Sequence, residues 1–130
     1  MHRRSLLLAA AALTTLSVPA ARAATVADYT PEAFAAAQAQ GKPILVHINA
    51  PWCPTCAVQR PILSRLEATP ECKKLMVFRV DFDNQKDVVQ KFRATMQSTL
   101  IAFHGTTETA RSTGETNPDK IAAVVNSALH

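Results

Sequence analysis

The chain has 130 residues, 48% of them apolar and 18% charged, with a formal net charge of +4. That length suits one domain with one core, and the composition excludes a disordered or fibrous chain. Three cysteines are too few for a disulfide-dense scaffold, and 5% aromatics argues against a stacking platform for single-stranded nucleic acid.

The N-terminus reads as a secretory signal peptide over residues 1–23. His2-Arg3-Arg4 supplies a basic start, and an apolar run follows from Leu6 to about Val18. Ala21-Arg22-Ala23 places small residues where cleavage requires them, with Ala20 as a competing site. The run is short of the roughly 20 residues a spanning helix needs, so an uncleaved anchor is the lesser alternative. Arg3-Arg4 by itself is a thin twin-arginine signal. Cleavage after Ala23 removes three arginines and no acid, so the net charge falls from +4 to +1. A nearly neutral domain gives no reason to expect nucleic acid or an anionic membrane as partner. The expected mature domain is 24–130, exported, with the periplasm as its compartment.

Along that domain, Thr30-Pro31 opens a helix that Gly41 closes. Pro43 to Asn49 is a β-branched run, read as a buried strand. A second helix runs from Cys53 to about Glu67, with Val58, Ile62, Leu63 and Leu66 on one face and Pro61 expected to kink it. Leu75 to Phe82 is a second buried strand. Asn84 to about Phe92 is a short helix with Val88, Val89 and Phe92 inward. Thr99 to His104 is a third strand, and a fourth lies near Thr107 to Ser112. Asn117-Pro118-Asp119 starts a last helix with Ile121, Val124, Val125 and Leu129 on its apolar face. A weak strand before Tyr29 is an option. Early alternation and a late hairpin imply an α/β fold with a central mixed sheet and helices on both faces.

Chemistry concentrates at Trp52-Cys53-Pro54-Thr55-Cys56, where a strand ends and a helix begins. Cys53 lies at the helix N-terminus, where unpaired N–H groups and the dipole favour an anion. Its thiol is therefore expected below the free value of about 8.5, and the thiolate is the nucleophile. Cys56, one turn in, should be more buried and protonated, suited to resolving a mixed disulfide.

This WCPTC segment resembles the active site of the thioredoxin-like thiol–disulfide oxidoreductases. The likeness extends over the mature chain: ILVHIN, Pro61, FRVDFD and STLIAFHG fall where the family has counterparts. It implies a thioredoxin-like fold, Cys53 as attacking and Cys56 as resolving cysteine, Trp52 as cover and no cofactor beyond the cysteine pair. It also implies protein thiols and disulfides as substrates. Exported relatives of this size often act as reductants fed by a membrane thiol-electron transporter, so reduction is the expected direction, with the protein a monomer.

Two positions depart from the family pattern. Ser98 stands where the family carries a cis-proline. A cis bond before a non-proline residue costs about 2.5–4 kcal/mol, so a trans Gln97–Ser98 bond is expected. A hydroxyl near the sulfurs is a further expectation. His47 and Arg79 stand where thioredoxins often place a buried acid and a lysine. A buried imidazole there is either a proton acceptor for Cys56 or a satisfied core histidine; Arg79 reads as a surface charge. The rival function is a copper- or zinc-binding module on the same cysteines. A purely structural disulfide is a poor staple, because its loop is tiny. Cys72 reads as a half-buried free thiol, His104 as exposed, and Asp81 and Asp83 as a solvated edge.

Overall fold

A computed structural model describes residues 23–130, together with Ala12, Thr14, Leu16 and Ser17. The expected signal segment lies almost wholly outside the described residues. Strand β1 (Thr25–Asp28) precedes helix α1 (Pro31–Ala39) and strand β2 (Pro43–Asn49). Helix α2 (Pro54–Glu67), a 3₁₀ turn at Pro70–Cys72 and strand β3 (Met76–Asp81) follow. Helix α3 (Lys86–Lys91), strands β4 (Thr99–His104) and β5 (Thr107–Thr113), and helix α4 (Pro118–Leu129) complete the order. The weak strand before Tyr29 is β1.

The five strands form one sheet in the order β1-β3-β2-β4-β5. β3 is parallel to both β1 and β2, while β4 is antiparallel to β2 and β5. Alternation along β2 decides which layer each side chain enters. Ile44, Val46 and Ile48 join Phe34 and Ala37 of α1 and Val88 and Val89 of α3. Leu45 joins Leu63 of α2 and Ile121, Val124, Val125 and Ala128 of α4. Helices therefore cover both faces, as the sequence pattern implies.

Helix starts follow their caps. Thr30 Oγ1 accepts the Ala33 N–H at 3.2 Å, and Asn117 Oδ1 accepts those of Asp119 and Lys120 at 2.9 and 3.2 Å. α2 continues through Pro61. Two expectations shift. α3 begins at Lys86, not Asn84, because the Asp81 carboxylate captures the N–H groups of Asp83 and Asn84 at 2.9 and 3.1 Å. That turn takes residues the helix needs. Val58 points outward and is 47% exposed; the buried face of α2 is Cys56, Gln59 and Leu63.

Candidate functional site

β2 delivers the chain to the site, and α2 receives it. Cys53 is the N-cap of α2, and its Sγ accepts the backbone N–H of Cys56 at 3.1 Å. Such a bond is strongest when the acceptor is anionic. Pro54 takes the first helical position, where its missing N–H costs nothing. Cys53 and Cys56 form a small buried cluster with Ala50, and Phe82 packs against it. Both thiols are free. Burial and the neighbouring Cys53 push the Cys56 thiol up, while backbone hydrogen bonds from Ala50 and Ser98 pull it partly back. Cys56 therefore holds its proton at neutral pH, as its position one turn into the helix implies. Thr55 is half-buried between the two cysteines.

Trp52 is 57% exposed, so it does not pack into the core. Its indole N–H donates to Asp83 Oδ2 at 2.7 Å. Asp83 is positioned in turn by Asp81, whose carboxylate accepts from Asp83 and Asn84. Those bonds, chiefly from Asn84, hold the Asp81 carboxyl below its ordinary value. The acidic pair at the end of β3 is thus more than a solvated edge: it anchors the tryptophan before the first cysteine.

Ser98 follows a trans bond, as expected, and no cis peptide occurs among the described residues. Its φ of 59° lies in the left-handed region, uncommon for a residue with a side chain. Its hydroxyl donates to the Gln97 carbonyl, so the expectation of a hydroxyl serving the sulfurs is corrected. What Ser98 offers the pair is its backbone N–H, near Cys56.

His47 is buried on β2, opposite Arg79 and Leu100. Burial lowers its pKa to about 4; the hydrogen bond to Gln59 opposes this in part, and the charges of Arg60 and Arg79 add to the lowering. Its Nε2 lies 3.2 Å from Gln59 Oε1. No hydrogen bond joins it to either cysteine among the described residues. The ring is thus bonded to Gln59 rather than to a cysteine, the arrangement of a satisfied core histidine.

Apolar spacing in the sequence does not single out Gln59. It is fully buried, one turn beyond Cys56 on the same face of α2. Its Nε2 donates to the carbonyls of Ser98 at 3.1 Å and Glu115 at 2.9 Å. The available signal was a polar residue inside an otherwise buried helical stripe. Cys72 is deeply buried beside Leu75, not half-buried, because the 3₁₀ turn folds it inward. His104 is exposed, and its Nδ1 lies 2.8 Å from the Ala128 carbonyl.

Comparisons with known proteins agree with this geometry. The thioredoxin family model matches residues 25–127. The crystal structure of Trxlp from Edwardsiella tarda superposes with a TM-score of 0.76 at 44% identity, covering 78% of this chain and 98% of that one. Protein disulfide isomerase-like 2-1 from rice is 31% identical over 85% of this chain and 31% of its own length. Thioredoxin from Mycobacterium tuberculosis is 34% identical over 48% of this chain and 53% of its own. The chain thus spans about half or less of these two curated relatives. A family model that runs from β1 into α4, over a sheet and cysteine pair of this geometry, leaves one conclusion: the chain belongs to the thioredoxin family of thiol–disulfide oxidoreductases.

Proposed function

We propose that this protein is an exported thiol–disulfide oxidoreductase that reduces protein disulfides through Cys53 and Cys56. The observation that carries the reading is Cys53 as N-cap, with the Cys56 N–H on its sulfur at 3.1 Å and Cys56 buried one turn into the helix. Cys53 attacks a substrate disulfide and forms a mixed disulfide, expelling one substrate thiolate. Cys56 then attacks Cys53, closing the Cys53–Cys56 bond and releasing the second substrate sulfur. Trp52, Pro54 and Thr55 form the surroundings the substrate meets. The basic, apolar and small-residue pattern of residues 1–23 supports export to the periplasm. A membrane thiol-electron transporter is the electron donor that suits such a compartment, with the protein acting as a monomer.

Trapping tests this reading. A Cys56→Ser variant should accumulate mixed disulfides with client proteins, and a Cys53→Ser variant should accumulate none. Equal trapping by both contradicts the assignment of roles. Export is checked by N-terminal sequencing of the mature protein, expected to begin at Ala24. A chain that still begins at Met1 contradicts it. The soft-metal reading needs a third donor beside the two sulfurs. No cluster of three His, Cys, Asp or Glu is present among the described residues. Copper or zinc retained at one per chain after purification would favour that reading.

A further inference from the structure

The carboxamide of Gln59 spends its hydrogen-bonding capacity in a determined way. Both Nε2 protons go to carbonyls, those of Ser98 and Glu115, at 3.1 and 2.9 Å. Oε1 is therefore left facing His47 Nε2 at 3.2 Å, and only a protonated Nε2 can satisfy it. This fixes the neutral imidazole as the Nε2–H tautomer, consistent with a ring whose pKa is lowered to about 4. Arg60 and Arg79 are the charged groups that disfavour its protonation. One buried side chain thus ties together β2, α2, the segment before β4 and the segment after β5.

The Ser98 carbonyl has a second donor, the N–H of Gly114 at 3.0 Å. Gly114 adopts a φ of 71°, which favours glycine. Two donors on one carbonyl hold residue 98 in its left-handed conformation, with its own N–H near the Cys56 sulfur. A proline at that position has no N–H to give.

On the reading that Cys56 resolves the mixed disulfide, we propose that Gln59 is a positioning residue for the closing step. It holds Ser98 against Cys56, and so sets how fast Cys56 displaces the substrate from Cys53. In that step the Cys56 thiol gives its proton to solvent and its sulfur attacks Cys53 Sγ. The Cys53–substrate bond breaks, the Cys53–Cys56 bond forms, and the substrate sulfur leaves as a thiolate. Two electrons pass from the cysteine pair to the substrate disulfide. Negative charge gathers on Cys56 before attack, where the Ser98 N–H meets it.

The test uses the reduced protein and an aromatic disulfide that releases one coloured thiolate on attack and a second on closing. In Gln59→Met the closing phase should slow about tenfold or more, the effect of a misplaced hydrogen bond to a charged group. The attack phase should stay within about twofold of the parent. An unchanged closing phase, or equal slowing of both phases, overturns the proposal. A parent protein that releases no first thiolate overturns the redox reading itself, and this proposal with it. If Gln59→Met does not fold, the parent protein carries the test by NMR with Cys53 blocked by alkylation. The Ser98 amide proton should then move as Cys56 ionises; a stationary signal overturns the proposal.

Discussion

Two sulfurs three positions apart occupy different surroundings, and the division of labour follows. Cys53 receives an N–H at the head of a helix, whereas Cys56 is walled in and keeps its proton. His47 shows how burial alone changes a residue's chemistry. An unfolded histidine takes up a proton near 6.5, but His47 in the fold does so at about 4. Between those values the unfolded chain holds the extra proton, so stability falls as pH falls. The penalty is absent above about pH 6.5 and full below about pH 4, where it reaches roughly 3 kcal/mol. Urea unfolding from pH 7.5 to 4 should show this slope, and His47→Leu should flatten it whatever its absolute stability. A slope that persists in the variant assigns the effect elsewhere. At the surface, Asp83→Ala should cost less than about 1 kcal/mol, because the lost bond is exposed. It should still free the indole, read as increased quenching of Trp52 fluorescence by acrylamide.

At the scale of elements, the chain announces most of its structure. Thr30, Asn117 and the β-branched run Pro43–Asn49 each place an element where it forms, because caps and buried strands depend on local chemistry. Asn117→Ala should destabilise the protein by about 1 kcal/mol, measured by urea unfolding, with no loss of redox function. No change in stability contradicts the capping account. What the sequence hides depends on contacts made across the fold. Apolar spacing placed Val58 inward, but the helix turns Gln59 there instead, since the carbonyls of Ser98 and Glu115 need a donor. Likewise the start of α3 and the grip of Asp83 on Trp52 arise from a turn that Asp81 organises across β3 and the next segment. The cysteine pair was legible because its spacing, its tryptophan and its strand-to-helix junction lie in one short stretch. Its supports come from residues 83, 98 and 115, far along the chain, so no local pattern reports them.

Across the whole molecule, the central position of β2 sets where the site forms. Packed on both faces and bonded on both edges, β2 ends just before the cysteines, so the first sulfur is carried by the central strand of the sheet. Leu45→Ala should cost about 2–5 kcal/mol, because the space it leaves between β2, α2 and α4 closes only in part. Urea unfolding checks this, and a cost under 1 kcal/mol contradicts the close packing of that layer. The central claim concerns electrons, and the most direct measurement is the reduction potential of the Cys53–Cys56 couple, by equilibration of the purified protein with thiol buffers. The account predicts a value near about −270 mV, at the reducing end of this chemistry. A value near about −120 mV, at the strongly oxidising end, contradicts it and makes the protein a donor of disulfides.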